Sequence, residues 1–390
     1  VNTNNFSKGI NTPNKIGEAI TVYIDPSMDA SIDASNFTGM HKEPYDPDGG
    51  TNYIDGAVRY TSDLNNSYFQ VEGKSKGFVR IKDGTNVKLK DFSDNQKIVF
   101  SIGSTDVDNN YLVTSYSGGN VANYQSPTID TSITLDPSVW SVHDAVNNVY
   151  VANLGYSLSR LTQVWYDEQL GLRMSPTLAD LSTNLGLFFK DGTDLYVRLW
   201  DDSDPSTHSL DIGSNIGFSI QPFCTMRNVT KRLGGMAVGD SALVEYCDFT
   251  VGSNISVSTN GIIQYSHFYN NWSGNNYAEQ EFGGNANSIN VGDYGIAHAN
   301  TVEDSYIGIQ VAYGSKRPLV CFNVVKNIIV NHIQLSGSVN PHTSEDDAIL
   351  IINNTVFTAP RFAPNIPYPM ANSSTGHGFV FQSGGDGNYA

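Results

Sequence analysis

The stretch ALVEYCDFTVGSNISVSTNGIIQYSHFYNN, residues 242–271, contains one short pattern twice. Three apolar residues of the first copy return 19 residues later in the second: Val244, Tyr246 and Phe249 as Ile263, Tyr265 and Phe268. A coil of three short strands and three turns needs ~20–25 residues and cannot bury its apolar side chains alone. The repeat therefore predicts stacked coils, or rungs, in which Val lies on Ile, Tyr on Tyr and Phe on Phe.

The pattern continues toward the end of the chain, at spacings from about 19 to about 31 residues, because a solenoid accommodates extra residues as loops. Its later copies are residues 295–311, 320–330, 348–360 and 376–384. Asn323 and Asn354 occupy equivalent turns of two of these copies. An inward-facing amide at a turn can hydrogen-bond the backbone of the next rung, so we expect both residues to be structural.

Three regions follow from the pattern: residues 1–129, which contain the first coils; residues 130–210, an inserted sandwich-like β-domain or meander; residues 211–390, the main solenoid, expected to continue beyond the given C-terminus. Within the second region, Asp191-Gly192 between apolar runs predicts a hairpin. Helix signals are confined to 52–64 and 175–185, so the fold class is all-β.

The composition excludes several classes of partner. Lys and Arg number 22 against 39 Asp and Glu, for a net charge of −17, which disfavours nucleic acid and anionic membranes. No apolar run is long enough for a membrane span. The start at Val1 without Met is expected of a chain that has lost a leader. Cys224, Cys247 and Cys321 are expected to be buried thiols, with a Cys224–Cys247 disulfide as an open alternative.

Three passages resemble right-handed parallel β-helix proteins that act on carbohydrates. The passage TVYIDPSMDASIDASNFTGMHKEPYDPDGGTNYIDGAVRY (21–60) is similar to their capping segment. SPTIDTSITLDPSVW followed by NVYVANL resembles the passage into an inserted β-domain, and DLYVRLWDDSDPSTH resembles its close. The resemblance implies a right-handed parallel β-helix, and an activity like that of secreted glycoside hydrolases, polysaccharide lyases or phage tailspikes.

Enzymes of this kind place their site beside long turn loops, and two such loops here, 272–295 and 335–348, carry carboxylates. A glycosidase needs one protonated acid and one carboxylate, ~5–9.5 Å apart, and neighbouring rungs stack ~4.8 Å apart. The predicted catalytic residues are Asp346, Asp347, Glu279 and Glu281. Asp346-Asp347 also resembles a pair found before a strand in some glycosidases of this fold.

Other loop residues are predicted to bind substrate or a cation. Carboxylates can hold Ca²⁺, which lyases of this fold use with a Lys or Arg base, so Glu345 and Asp293 are candidate ligands of an optional ion. The candidates for substrate binding are His342, Trp272, Tyr277, Tyr294, Lys316 and Arg317. By contrast, Tyr246 and Tyr265 are expected in the core, and His267, at the repeat position of Asp248, is expected to be a solvated outward residue.

These observations favour an extracellular protein that binds a polysaccharide and cleaves it by hydrolysis. Lyase activity is less favoured, because the lyase motifs are absent and the chain is acidic. A non-catalytic glycan-binding or structural β-helix, such as a tailspike or adhesin, is the alternative from another class. A tailspike would be a homotrimer, and the enzyme is expected to be a monomer with no required cofactor.

Overall fold

In the computed structural model, the regular secondary structure of the described residues is almost entirely β-strand. The model describes residues 20–25, 27, 77–88, 111–116, 125–159, 161–167, 170–214, 218–271, 287–312, 315–337, 348–357 and 377–383. Helix in these residues is limited to short 3₁₀ segments at Pro137–Val139, Leu178–Ser182 and Pro205–Thr207. Within the same residues, no helix is both long and apolar enough to cross a bilayer.

A first parallel sheet runs along the stacked rungs and contains nine of the described strands. Its members are β1 (Ile20–Ile24), β2 (Gly77–Lys82), β4 (Tyr111–Tyr116), β15 (Thr225–Arg227), β17 (Leu243–Glu245), β19 (Ile262–Gln264), β22 (Ile296–His298), β24 (Leu319–Cys321) and β26 (Leu350–Ile352).

A second parallel sheet contains eleven of the described strands. They are β3 (Asn86–Lys88), β5 (Thr128–Asp130), β14 (Phe218–Ile220), β16 (Thr230–Val238), β18 (Asp248–Val257), β20 (His267–Asn271), β21 (Asn287–Val291), β23 (Thr301–Ala312), β25 (Val324–Gly337), β27 (Thr355–Phe357) and β28 (His377–Ser383). The long strands bend at a shift of register, as between Arg232 and Gly234.

Each complete rung follows one course. The chain passes through a strand of the first sheet, a first turn, a bent strand of the second sheet, and a second turn that leads to the next rung. Leu243 pairs with Ile262, and Asp248 pairs with His267, each one 19-residue repeat apart. Extra residues in later rungs do not disturb the pairing, since Gln264 still pairs with His298.

The interior of the rungs is built from the repeated apolar residues. Val244 and Ile263 are fully buried and paired, and the rings of Phe249 and Phe268 stack 4.4 Å apart. The predicted like-on-like stacking is therefore confirmed. Cys224, Cys247 and Cys321 are buried free thiols, so the alternative of a disulfide was wrong.

A chain of buried amides links successive first turns. Asn300 Nδ2 and its backbone N–H donate to Asn323 Oδ1, and the same two groups of Asn323 donate to Asn354 Oδ1, at 2.9–3.1 Å. Each Nδ2 also donates to a carbonyl of an earlier strand, as Asn323 does to Ala297 O. This confirms the structural role predicted for Asn323 and Asn354, because buried polar groups need partners.

The remaining described strands form one eight-stranded sheet, which is antiparallel except where Leu170–Met174 runs parallel to Leu187–Asp191. They are β6 (Ser132–Thr134), β7 (Trp140–Asp144), β8 (Val149–Asn153), β9 (Leu161–Tyr166), β10 (Leu170–Met174), β11 (Leu187–Asp191), β12 (Asp194–Arg198) and β13 (Leu210–Ser214). The predicted hairpin is present, with Asp191 paired to Asp194 and Gly192 at φ 60°.

A buried ion network joins this sheet to the rungs. Arg232, on β16, lies between Asp130, on β5 of the second sheet, and Asp211, on β13 of the eight-stranded sheet. Its Nη1 is 3.1 Å from Asp130 Oδ2, and its Nη2 is 2.5 Å from Asp211 Oδ2. All three side chains are at least nine-tenths buried, so the two regions are fixed to each other by charges that lack solvent screening.

Candidate functional site

Most of the residues predicted to form the site lie outside the described part of the chain. These are Asp346, Asp347, Glu279, Glu281, His342, Trp272, Tyr277 and Glu345. The described residues that border the two predicted loops lie at different places on a rung. Asn271 and Asn287 flank the bend of the second sheet, whereas Gly337 and Ala348 flank a second turn. Their roles remain predictions.

The other four predicted residues lie side by side on exposed second turns of two neighbouring rungs. The backbone N–H of Lys316 donates to Asp293 Oδ1 at 2.9 Å, and that of Tyr294 donates to Lys316 O at 2.6 Å. Arg317 follows directly and is also exposed. The described residues contain no group of three or more His, Cys, Asp or Glu side chains arranged to hold a metal ion. The role of Asp293 as a Ca²⁺ ligand is untested.

An exposed aromatic strip of Tyr246, Tyr265, His298 and Phe322 runs along the first turns. Tyr246 and Tyr265 are 52% and 45% exposed, so the expectation that they belong to the core was wrong. The reason is their backbone: both residues, like Phe322, have φ of 50–59°, in the left-handed region. That conformation turns the chain from one sheet to the other. As a result the two tyrosine side chains point outward, whereas the alternation of a regular strand would have placed them inside.

The rings of the strip contact one another in sequence. Tyr246 and Tyr265 are stacked 5.3 Å apart at 11°, while Tyr265 meets His298 edge to face at 5.3 Å. His298 in turn meets Phe322 edge to face at 5.8 Å. The strip therefore offers apolar ring faces and edges over four consecutive rungs, parallel to the direction in which the rungs stack.

Hydrogen-bonding side chains lie beside the aromatic strip, on the last residues of β15, β17 and β19. Arg227 Nε donates to Glu245 Oε1 at 2.9 Å, and Gln264 Nε2 donates to Glu245 Oε2 at 2.8 Å. His298 continues this row on the next rung. Such a surface, apolar along one line and polar along the next, matches a ligand that has both C–H faces and hydroxyl groups.

A charged cluster of Asp248, His267, Glu303 and Lys326 lies on the second sheet just beyond the aromatic strip. Asp248 and His267 come two residues after Tyr246 and Tyr265 on the same rungs. His267 Nε2 is 2.6 Å from Glu303 Oε1, and its Nδ1 is 3.9 Å from Asp248 Oδ1. Lys326 Nζ forms an ion pair with the other oxygen of Glu303. His267 therefore points outward, as predicted, but it contacts both carboxyl groups and is not merely solvated.

The environments of the two carboxyl groups move their pKa values in opposite directions. Partial burial raises the pKa of Asp248, and nearby His267 offsets only part of that effect. Burial also acts to raise the pKa of Glu303, but hydrogen bonds and charges from Lys326 and His267 outweigh it and leave the pKa lowered. A pair of carboxyls separated in this way is the pattern of an acid and a base in one site.

The contacts with His267 set an upper limit on the separation of the two carboxyl groups, and that limit permits an inverting mechanism as well as a retaining one. Its contacts with His267 measure 3.9 and 2.6 Å, and the ring nitrogens of an imidazole are ~2 Å apart, so the carboxylate oxygens lie at most about 9 Å apart. Inverting glycosidases use separations of ~6.5–9.5 Å, which leave room for a water molecule. The arrangement can therefore supply a proton donor and a carboxylate on an open surface.

The sequence contained only part of the signal for this cluster. The 19-residue repeat places His267 on Asp248, but Glu303 lies 36 residues after His267, since a longer loop separates their rungs. Lys326 pairs with Glu303 across the next rung, at a further 23 residues. Without the strand pairing, neither spacing shows that these four side chains share one face.

Comparison with known proteins gives only distant structural likenesses. No model of a known protein family matches the sequence, and no curated protein matches it. A structure described as the complex of XylC with xylose aligns with 87% of this chain and 63% of its own, at 8% identity and a TM-score of 0.43. A structure described as a glycoside hydrolase aligns over 87% and 88%, at 7% identity and a TM-score of 0.46. The activity of this chain must therefore be inferred from its own residues.

Proposed function

We propose that this protein binds a neutral or mildly acidic polysaccharide outside the cell and hydrolyses it, on a right-handed parallel β-helix. One observation carries the proposal: the exposed aromatic strip runs beside the charged cluster on the same rungs. A sugar ring has apolar faces that pack on aromatic rings and hydroxyl groups that need polar partners. A glycan lying along the strip would place its linkages near Asp248 and Glu303.

The proposed chemistry assigns one role to each member of the charged cluster. Asp248, with the raised pKa, donates a proton to the oxygen of the leaving sugar. Glu303, held ionised by Lys326 and His267, accepts a proton from water as that water attacks the opposite face of the sugar ring. Breaking the glycosidic bond then yields one new reducing end with inverted configuration.

The first test measures reducing ends released from plant, algal and bacterial-surface polysaccharides, with and without EDTA. We expect Asp248→Asn and Glu303→Gln to lower the rate at least ~100-fold, because each removes a proton-transfer group. Asp240→Asn, an exposed acid on a second turn, is the matched control.

Full activity in Asp248→Asn, together with loss of activity in Asp346→Asn/Asp347→Asn, would move the catalytic site to the predicted loop. An unsaturated product would indicate a lyase, and loss with EDTA would indicate the optional Ca²⁺.

Binding is tested separately on the strip. Tyr265→Ala should weaken glycan affinity ~10-fold, or about 1.4 kcal/mol, as measured by titration calorimetry. Tyr294→Ala removes an exposed ring from a second turn and serves as the comparison. If only Tyr294→Ala weakens binding, the glycan lies on the second turns and the strip has another role.

A non-catalytic glycan-binding protein, of the tailspike or adhesin class, is the second candidate. It is favoured by the pairing of Glu303 with both Lys326 and His267, since closed ion networks also occur for structural reasons. Binding without release of reducing ends from any glycan would select this candidate. Light scattering would then distinguish the trimer expected of a tailspike from a monomer.

A further inference from the structure

Ser203, His208 and Asp167 form a hydrogen-bonded constellation at the eight-stranded sheet. His208 Nε2 lies 2.7 Å from Ser203 Oγ, and His208 Nδ1 lies 2.6 Å from Asp167 Oδ2. These are the contacts of a nucleophile with its base and of the base with an orienting carboxylate. Such constellations are recognised by geometry and role, and their order in the sequence varies between folds.

Local hydrogen bonds fix the three side chains on two separate loops, one after β9 and one between β12 and β13. Asp167 follows β9 directly, and its Oδ1 accepts the N–H of Ser209 at 3.1 Å. Asp204 caps the 3₁₀ segment Pro205–Thr207 by accepting the N–H of Ser206. The segment therefore begins just after Ser203 and ends just before His208.

The imidazole is shielded while the serine can be reached. The side chain of His208 is 16% exposed, and the ring of Tyr166 packs edge-on against it at 5.4 Å. Ser203 is only half-buried. The pair is therefore held in place at a surface where a small substrate has access to Ser203 Oγ.

We propose that Ser203, His208 and Asp167 hydrolyse small, uncharged carboxylic esters. The carboxylates of Asp201 and Asp167 flank the serine and histidine, so an anionic substrate would be repelled. An ester of an uncharged alcohol, including an O-acetyl group on a sugar, avoids that repulsion. The proposal does not depend on glycan hydrolysis at the charged cluster.

In the reaction, neutral His208 donates its Nδ1–H to Asp167 and accepts the hydroxyl proton of Ser203 at Nε2. Ser203 Oγ bonds to the ester carbonyl carbon, whose π electrons move to the carbonyl oxygen. Collapse of this intermediate re-forms the carbonyl and expels the alcohol, which takes the proton from Nε2. Water then adds to the acyl-serine in the same way, and the products are one carboxylic acid, one alcohol and free Ser203.

Asp201 competes for the serine proton. Ser203 Oγ donates to Asp201 Oδ1 at 2.7 Å, and Asp201 Oδ2 lies 3.7 Å from His208 Nε2. When the Ser203 hydroxyl donates to Asp201, the Ser203 oxygen can only accept a hydrogen bond from Nε2–H of His208. His208 then has a proton on each ring nitrogen and is the imidazolium. The reactive arrangement therefore needs the Ser203 hydroxyl turned from Asp201 toward the unprotonated Nε2 of His208, and the groups that face the ring are Asp167, Asp201 and Tyr166.

The test treats the purified full chain with a fluorophosphonate probe and locates the adduct by peptide mass spectrometry. We expect the adduct on Ser203, a result that requires no variant to fold. Hydrolysis of 4-nitrophenyl acetate and release of acetate from an O-acetylated xylan are measured in parallel, and the xylan arm distinguishes a glycan ester from a free small ester.

Ser203→Ala and His208→Gln should lower kcat/KM for 4-nitrophenyl acetate at least ~100-fold. Ser206→Ala, an exposed serine of the same loop, should leave it unchanged. Asp167→Asn should lower kcat with little change in KM, as expected of a positioning residue. Absence of an adduct on Ser203, or unchanged hydrolysis by Ser203→Ala, would overturn the proposal.

Discussion

The stacked rungs and the eight-stranded sheet solve the same problem, the pairing of strands, by different means. In the rungs, each strand pairs with the equivalent strand of the next coil, 18 residues away at the closest. In the eight-stranded sheet, a strand often pairs with its neighbour in sequence, as β11 does with β12 across two residues. Register is thus set at long range in one region and locally in the other.

This difference is reflected in how the polar side chains of each region are arranged. The rungs contain a continuous line of buried amides, because every amide finds a partner one rung away. The described strands of the eight-stranded sheet have no such line: the buried amide Gln163 donates to Gly252 O of the rungs, and Asn153 lies at the surface with Asp194. Because the rungs repeat, like residues form extended lines along them. One line, of amides, lies inside the rungs, and the other, the aromatic strip, lies outside.

The largest effect is expected at the junction of the two regions. Arg232→Met would leave Asp130 and Asp211 buried without a counter-charge, which should lower the free energy of unfolding by about 3–5 kcal/mol. It should also separate the unfolding of the rungs from that of the eight-stranded sheet in calorimetry. Arg198→Met, which loses the more exposed partner Asp202, is the comparison and should cost about 1 kcal/mol. A single unchanged transition in Arg232→Met would show that the network does not join the regions.

The buried amides give the next effect. Asn323→Leu leaves the backbone N–H of Asn300 and a carbonyl of Ala297 without these partners, and should destabilise the protein by about 2–3 kcal/mol in urea. Asn153→Ala removes an exposed amide of the eight-stranded sheet and should cost about 0.5 kcal/mol. Equal costs for the two variants would remove the contrast between the regions.

A smaller, pH-dependent effect is expected from Lys231, which lies inside the rungs. Its Nζ donates to Thr131 Oγ1 and to the carbonyls of Arg232 and Leu233, while burial lowers its pKa to about 7. In the unfolded chain the pKa is ~10.4, so the unfolded state binds more protons between these values. Stability should therefore gain from rising pH above about 7, up to the unfolded pKa.

The measurement for Lys231 is the urea midpoint of unfolding at pH 7, 8 and 9. Lys231→Met should show a flatter dependence than the wild type, whereas Lys316→Met, which changes an exposed lysine, should follow the wild type. Parallel pH profiles for wild type and Lys231→Met would show that the ammonium remains charged in the folded protein.

The turns give the smallest effect. The hairpin of the eight-stranded sheet uses Gly192 at φ 60°, with open space around it, while the rungs place Ala299 at φ 53° in a first turn. Gly192→Ala should cost about 1 kcal/mol, since a left-handed backbone disfavours a Cβ atom. Ala299→Gly should be neutral or slightly stabilising, by the reverse of the same effect. A marked loss in Ala299→Gly would mean that its methyl group contributes to packing.

The repeat was enough to predict the stacked strands, the Val/Ile and Phe/Phe columns, and the roles of Asn323 and Asn354. These features depend on spacing and on residue type, which a sequence displays directly. The repeat was misleading for Tyr246 and Tyr265, because a column of like residues is equally consistent with the inside and the outside of a rung. The sign of φ at the first turn decides whether the side chain points inward or outward. No residue type other than glycine reliably indicates a positive φ in the sequence.

The sequence by itself thus determined that the chain is all-β, acidic and repetitive, because composition and periodicity are local properties. Only the tertiary structure brought Asp248, His267, Glu303 and Lys326 onto one face, and Asp167 into contact with His208. Loops of unequal length separate the first group, and 41 residues separate the second pair. Side chains from distant segments meet where strand pairing places them, and that pairing is decided by burial and hydrogen bonding over the whole fold.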